Sequence, residues 1–265
     1  MKLSISNIAW SADQDEKVYG MMQQLGFTGL EIAPTRIFPE KPYEDLTKAS
    51  NWAKKLKADF DFEVPSMQSI WYGRSEVIFG EDSERQILLD YTKKAIDFAA
   101  ATGCKNLVFG CPKSRNVPEG MTEEQANEIA VTFFKDLGDY AFLKGTVLAL
   151  EPNPPIYNTN YMNTTAEALE FIRLVDSKGF LLNLDVGTMI ENGESVSLLT
   201  DNISLINHVH ISEPGLKLVQ ERELHRELIN LLKDGGYDRF VSIEMGKRED
   251  VGEVEAVMEY VRRIV

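Results

Sequence analysis

Eight apolar, β-rich segments recur along this chain at intervals of roughly 25 to 45 residues, and a helical pattern follows each of them. Several segments are apolar almost throughout, as parallel strands that are covered on both faces tend to be. Eight strands that alternate with eight helices over about 250 residues predict a (β/α)8 TIM barrel. The predicted strands are residues 3–7, 29–33, 63–68, 106–110, 146–150, 180–184, 206–211 and 240–244.

The helical pattern is clearest over residues 82–102, where apolar side chains recur at i, i+3 and i+4 and Gly103 follows as a stop signal. An open doubly wound sheet is the alternative fold, but no GlyXGlyXXGly turn follows the first strand. No linker-like stretch interrupts the chain, so residues 1–265 are predicted to form a single domain. Further helices are predicted over 121–144 and 251–264, from Thr164 or Thr165 onward, and as a short, weak element near 195–202.

Charge and cysteine content limit the classes of function. The chain has 42 acidic and 28 basic residues and a formal net charge of −14, which disfavours binding to nucleic acid and to anionic membranes. Only two cysteines are present, Cys104 and Cys111, and the N-terminus lacks a signal-peptide pattern. These features predict a cytoplasmic protein, and no apolar stretch approaches the length of a membrane span.

Four polar residues stand at the C-terminal ends of successive apolar strands: Glu151, Asp185, His210 and Glu244. A carboxylate in a buried strand is costly unless it is paired, hydrogen-bonded or bound to a metal ion. The C-terminal strand ends of a TIM barrel meet on one rim, so one divalent metal site explains all four residues. Structural ion pairs or hydrogen-bonded rim residues are the alternative.

The residue types narrow the choice of metal. Three carboxylates and one imidazole form an oxygen-rich set that suits Mn²⁺, Mg²⁺ or Co²⁺, whereas structural zinc sites prefer thiolates and several histidines. We take Mn²⁺ as the first choice, with Mg²⁺, Co²⁺ or Zn²⁺ as alternatives. The open coordination positions of such an ion suit the oxygen atoms of a carbohydrate.

Several further polar or aromatic residues lie on the predicted rim and are candidates for binding substrate. The cations at Lys113, Arg115 and Lys247 could receive a phosphate or carboxylate. An aromatic face at Trp71 could stack on a sugar ring. Ion pairs on a solvated surface and ordinary packing are the alternatives. The predicted substrate-binding set is His208, Lys113, Arg115, Glu213, Lys247, Glu31 and Trp71.

Several motifs resemble the xylose isomerase-like TIM barrel family, which includes ketose 3-epimerases, hydroxypyruvate isomerases, inosose dehydratases and endonuclease IV. The resemblance spans nearly the whole chain. It rests on LeuGlyPheThrGlyLeuGluIle (25–32), LeuGluProAsn (150–153), AsnThrThrAlaGluAlaLeu (163–169), LeuAspValGlyThr (184–188), HisValHisIleSerGlu (208–213) and SerIleGlu (242–244).

The resemblance implies that Glu151, Asp185, His210 and Glu244 bind one divalent ion, and that the two glutamates are the catalytic acid and base. Removal of a proton next to a carbonyl gives an enediolate, and its reprotonation gives an epimer or an isomer. The chain departs from the epimerase pattern at two places. Thr188 stands where a histidine is usual, and Leu216 and Lys217 stand where an arginine is usual.

Three other functions compete with a sugar or sugar-phosphate isomerase/epimerase. A keto-polyol dehydratase would use the same site, and a barrel that binds sugar without turnover would not need the metal. A nuclease of the endonuclease IV type needs more histidine ligands than the three histidines of this chain supply. The predicted partner is a small-molecule carbohydrate, and the chain could assemble as a homodimer or homotetramer.

Overall fold

The computed structural model describes residues 1–265 and contains a curved, fully parallel sheet of seven strands. Their spatial order is β2-β1-β7-β6-β5-β4-β3, so strands that follow one another in sequence lie side by side except at the β2/β3 opening. The strands are β1 (Lys2–Ser6), β2 (Gly29–Glu31), β3 (Leu107–Phe109), β4 (Leu148–Leu150), β5 (Phe180–Asp185), β6 (Ile206–Ile211) and β7 (Phe240–Ile243).

Residues 63–68 close the barrel between β2 and β3 through isolated bridges rather than a continuous strand. Gly29 pairs with Glu63, and Met67 pairs with both Ile32 and Leu107. Pro65 has no backbone N–H to donate, which interrupts the ladder in the middle of this segment. The predicted strand over residues 63–68 is therefore shortened to bridges, while the predicted TIM barrel is confirmed.

Nine helices surround the sheet, and the longest begin and end close to the predicted residues. The helix predicted over 82–102 is present over the same residues, and Gly103 ends it in a left-handed conformation with a φ of 77°. The helices are α1 (Asp15–Leu25), α2 (Pro34–Ile37), α3 (Leu46–Phe60), α4 (Asp82–Thr102), α5 (Glu123–Leu143), α6 (Thr165–Val175), α7 (Val186–Asn192), α8 (Glu223–Asp234) and α9 (Val251–Ile264).

Side chains cap the N-termini of α6 and α7 and fix where these two helices begin. Thr164 caps α6, because its hydroxyl oxygen accepts a hydrogen bond from the backbone N–H of Glu167. The carboxylate of Glu167 accepts one from the backbone N–H of Thr164, which completes a capping box. The short, weak helix predicted near 195–202 is shortened to a 3₁₀ turn, and the sequence did not predict α7, the helix that starts directly after β5. Asp185 caps α7, and only a short 3₁₀ turn covers Val196–Leu199.

Apolar side chains form one continuous core between the sheet and the helices. Phe134 of α5 stacks on Phe180 of β5 at 5.0 Å between ring centroids and meets Phe109 of β3 edge-on at 4.8 Å. None of the helices combines the length and the apolar character that crossing a bilayer would require. The buried carboxylates of Glu151, Asp185 and Glu244 lie outside this core, at the C-terminal ends of the strands.

Candidate metal centre and active-site cleft

The four residues predicted to bind metal converge at the C-terminal ends of four neighbouring strands. Glu151 and Glu244 directly follow β4 and β7, Asp185 ends β5, and His210 lies in β6. One ligand atom from each of the four lies within 4.8 Å of the others, and all four residues are buried. The parallel arrangement of β4 to β7 thus brings together residues that are far apart in sequence.

His210 is the only nitrogen ligand in this group. Its Nδ1 lies 3.1 Å from Oε1 of Glu151 and 3.3 Å from Oε2 of Glu244. Burial opposes the charged form of this imidazole, but the charges of Glu31 and Glu244 and the hydrogen bonds of the glutamates raise its pKa well above the ordinary value. Without a bound cation these contacts therefore favour the charged ring, whereas a metal ion at Nδ1 requires the neutral ring.

The three carboxylates all favour protonation more than usual. Burial raises the pKa of Glu151, Asp185 and Glu244, and repulsion from a neighbouring carboxylate raises each pKa further. No lysine or arginine side chain balances the carboxylates inside the group. Three buried carboxylates thus outnumber the single imidazole, and a divalent cation supplies the missing positive charge, so the donor set fits such an ion.

Donors from the next connection hold Asp185 in place. The backbone N–H of Thr188 donates to Oδ2 of Asp185 at 2.8 Å, and the hydroxyl of Ser212 donates to Oδ1. Ser212 in turn accepts a hydrogen bond from the N–H of Gly187 at 2.8 Å. Both carboxylate oxygens are therefore oriented before any ligand arrives.

Amide side chains and one arginine hold Glu151. Asn183 donates to Oε1 of Glu151 at 2.8 Å, and Asn153 donates to Oε2 at 3.3 Å. Arg115 donates to the backbone oxygen of Glu151 at 2.9 Å and to Oδ1 of Asn153 at 3.0 Å. A side chain at Gly110 would not fit, because its Cβ would lie 2.8 Å from Oε2 of Glu151.

A cleft of about 210 Å³ opens above the carboxylates. Ser69, Cys111 and Leu216 line it with φ values of 55°, 42° and 54°, a left-handed conformation that costs energy in residues other than glycine. Strain of this kind concentrates where loops must present side chains to a ligand. The cleft is lined by Gln68, Ser69, Val108, Gly110, Cys111, Pro112, Glu151, Asn153, Tyr157, Asp185, Leu216 and Glu244.

Three of the residues predicted to bind substrate are committed to other contacts, and those predictions are corrected. Trp71 is buried in the core, where its Nε1 donates to Thr92 at 2.8 Å and its ring packs on Phe109. Arg115 is only 1% exposed and clamps backbone and amide oxygens below the cleft. Glu213 is also buried, and both of its oxygens pair with Arg222 at 2.6 Å.

The other four lie away from the cleft wall as well. Lys113 is exposed, and Lys247 pairs with Glu249 at 3.0 Å on the surface. Substrate contact by these two lysines stays a prediction. Glu31 and His208 are buried beneath the metal-binding group, where they contact each other and His210.

The structure adds candidate functional residues that the sequence analysis did not assign. Asn153, which closes the LeuGluProAsn motif, and Tyr157 line the cleft in the connection after β4. Asn183 stands two residues before Asp185, on the same face of β5, so strand alternation was a usable signal for it. No pattern in the sequence singles out Gln68 or Tyr157, because their positions depend on how separate loops meet.

Comparisons with known proteins agree with this fold. The profile of the xylose isomerase-like TIM barrel family matches residues 21–264. The chain is 35% identical over 208 residues to an L-ribulose 3-epimerase from Methylomonas sp. (strain DH-1), covering 77% of this chain and 68% of that protein. It is 24% identical over 237 residues to an inosose dehydratase from Klebsiella pneumoniae subsp. pneumoniae, covering 80% and 71%.

A solved structure shows the same architecture. The D-psicose 3-epimerase from Clostridium cellulolyticum H10, crystallised with D-tagatose, superposes with a TM-score of 0.79 at 17% identity and covers 100% of this chain and 99% of its own. Taken with the profile match, the fold and the convergent carboxylates define an enzyme class built on a TIM barrel. The chain belongs to the xylose isomerase-like TIM barrel family.

Proposed function

We propose that the protein is a divalent-metal-dependent epimerase or isomerase of a carbohydrate that acts on the carbon next to a carbonyl group. One observation carries this proposal. Glu151 and Glu244 approach Nδ1 of His210 to 3.1 and 3.3 Å and form part of the wall of the 210 Å³ cleft. The relatedness to an L-ribulose 3-epimerase supports the reaction class.

Glu151, Asp185, His210 and Glu244 would hold the metal ion. Mn²⁺ is our first choice because the set is rich in carboxylate oxygens, with Mg²⁺, Co²⁺ and Zn²⁺ as alternatives. When bound, such an ion polarises the carbonyl of the substrate and stabilises the negative charge that forms on its oxygen. The fit rests on the lack of positive charge among the three buried carboxylates.

The two glutamates carry the proton transfers. One of them, as a carboxylate, removes the proton from the carbon next to the carbonyl and leaves an enediolate. The other, as a carboxylic acid, returns a proton to the opposite face and gives the epimer, whereas delivery to the adjacent carbon gives the isomer. In the metal-free site burial raises the pKa of both Glu151 and Glu244. A bound cation would favour the carboxylate form, which is the form that a general base needs.

The cleft favours an uncharged carbohydrate over a phosphorylated one. No lysine or arginine is among its lining residues, and the buried Arg115 directs both terminal nitrogens of its guanidinium to oxygen atoms of the protein. Gln68, Asn153 and Tyr157 offer hydrogen-bonding groups to sugar hydroxyls. Leu216 lines the cleft near the position where an arginine is usual, so the sugar is held differently there.

A keto-polyol dehydratase is the second candidate, and relatedness to an inosose dehydratase favours it. The first step would be the same proton removal, followed by loss of a hydroxyl group from the next carbon as water. Mass spectrometry separates the two reactions, because only dehydration changes the mass of the substrate. A cytoplasmic location and a homodimeric or homotetrameric assembly stay predictions.

The test is deuterium incorporation. The Mn²⁺-loaded protein is incubated in D₂O with ketoses, aldoses, inososes and their phosphates, and exchange of the proton next to the carbonyl is followed by NMR. We expect exchange in at least one unphosphorylated substrate and its loss in Glu151→Gln. Asp97→Asn is the control. It removes a carboxylate on α4 that accepts a hydrogen bond from Tyr140 of α5, outside the cleft, and it should keep the wild-type rate of proton exchange.

A protein that binds stoichiometric Mn²⁺ yet exchanges no proton in any substrate would contradict the enzyme proposal. That result would instead support a barrel that binds sugar without turnover.

A further inference from the structure

A carboxylate lies on the far side of His210 from the metal-binding group. Glu31 ends β2, is fully buried, and places Oε2 2.9 Å from Nε2 of His210. The other ring nitrogen, Nδ1, faces Glu151 and Glu244. The two nitrogens of one imidazole therefore contact carboxylates with different surroundings.

The position of Glu31 is itself fixed. Gln68 donates to Oε1 of Glu31 at 3.0 Å and to Oγ of Ser6 at 2.6 Å. Nε2 of His208 also lies 2.9 Å from Oε2 of Glu31, with its ring at 88° to that of His210. Glu31 can therefore turn little, and its Oε2 stays aimed at Nε2 of His210.

A second contact indicates which nitrogen of His210 carries a lone pair. The side-chain amide nitrogen of Asn183 lies 3.2 Å from Nδ1 of His210 and can only donate. A neutral imidazole has one N–H and one lone pair, and the hydrogen bond at one nitrogen determines the state of the other. Glu31 as acceptor at Nε2 and Asn183 as donor at Nδ1 fit the same tautomer, and Glu151 and Glu244 beside Nδ1 oppose it only until a cation lies between them and that nitrogen.

We propose that Glu31 is a positioning residue that keeps the proton of His210 on Nε2 and so presents the lone pair of Nδ1 to the metal ion. The inference rests on the metal site of the proposed function and adds a residue that does not itself touch the metal or the substrate. A carboxylate that accepts a hydrogen bond from a metal-binding histidine fixes the tautomer of the ring and makes it a better ligand. Without Glu31, Nδ1–H becomes the competing form, and that form cannot bind a cation.

A purely structural role for Glu31 makes a different prediction. An ion pair that only neutralises a buried histidine would affect folding stability and leave the affinity for metal unchanged in the molecules that fold. Metal affinity and the His210 tautomer therefore separate the two roles.

The first measurement is the Kd for Mn²⁺, obtained by calorimetry on the full-length, metal-stripped protein. We expect Glu31→Leu to raise the Kd about 10- to 100-fold, as loss of such partners commonly does, and Glu31→Gln to raise it less because an acceptor oxygen remains. Asp97→Asn is the matched control and should keep the wild-type Kd. An unchanged Kd in folded Glu31→Leu overturns the proposal.

The second measurement needs no variant and stays decisive if Glu31→Leu does not fold. The ¹⁵N shifts of the Zn²⁺-loaded wild type report the tautomer of His210, and assignment is simple because the chain has only three histidines. An Nε2–H tautomer is expected, and an Nδ1–H tautomer overturns the proposal. Proton exchange by the wild type tests the proposed function separately, so a metal-binding but inactive protein leaves the Glu31 result intact.

Discussion

The backbone N–H of Thr188 donates to Oδ2 of Asp185 at 2.8 Å, so the residue that caps α7 is also a predicted metal ligand. The hydroxyl of Thr188 lies 2.8 Å from the same oxygen and from the backbone oxygen of Pro152, and it can donate to one of them at a time. At the position where the resemblance to epimerases implies a histidine, this chain therefore has a residue that donates to the carboxylate next to it.

Thr188→Val is expected to weaken metal binding without unfolding the protein. The variant keeps the branched shape and the backbone hydrogen bond but leaves Asp185 with one donor fewer. A hydrogen bond to a charged group contributes about 1.5–3 kcal/mol, so a rise in the Mn²⁺ Kd of about tenfold is expected. Calorimetric titration measures it, with the exposed Thr132→Val on α5 as control. Equal affinities in both variants would argue against a role for the hydroxyl.

Removal of metal by a chelator is expected to lower the thermal midpoint of unfolding. The carboxylates of Glu151, Asp185 and Glu244 would then repel one another in a buried site. At a free-ion concentration 100 times its Kd, a ligand that binds only the folded state stabilises it by about 2.7 kcal/mol. Scanning calorimetry with and without Mn²⁺ tests this, and Ca²⁺ serves as a larger ion for comparison. A thermal midpoint that stays the same with every divalent ion added would argue against the proposed metal site.

Arg115→Met is expected to destabilise the protein, whereas Lys113→Met should not. Arg115 is buried and donates to oxygens of Glu151, Asn153 and Met162, so its loss leaves buried acceptors unpaired at a cost of about 2–4 kcal/mol. Lys113 is exposed on the same loop. Chemical denaturation measures both. Equal stability with a change only in substrate KM would restore the prediction that Arg115 binds substrate.

His225 is expected to make stability depend on pH in the acidic range. Burial lowers its pKa to about 4, below the value of about 6.5 in an unfolded chain. The neutral form is therefore required for folding, so the contribution is complete above pH 6.5 and is lost as pH falls toward 4. The loss from this group between pH 7 and pH 5 should be about 2 kcal/mol.

The matched variant is His225→Leu, which removes the titrating group while Tyr260 still accepts a hydrogen bond from the N–H of Arg222. Urea unfolding at the two pH values measures the difference. If the wild type and the variant lose equal stability between pH 7 and pH 5, the shift in the pKa of His225 is not the cause.

The sequence alone determined the architecture and the four convergent residues. Strand and helix patterns depend on nearest neighbours and on periodicity, both of which are local, and parallel connectivity forces the C-terminal strand ends to one rim. Glu151, Asp185, His210 and Glu244 followed from that rule. The boundaries of α4 followed equally well, because Gly103 marks the end of that helix in the sequence itself.

Only the tertiary structure decided which polar residues reach the cleft. Arg115 and Trp71 carry suitable side chains in rim connections, yet both turn inward. Packing against Phe109 and hydrogen bonds inside the protein outweigh their exposure to solvent. The contact of Glu31 with His210, 179 residues away in the chain, is visible only in the folded structure. The direction of a side chain depends on contacts between distant segments, and periodicity within one segment carries no information about those contacts.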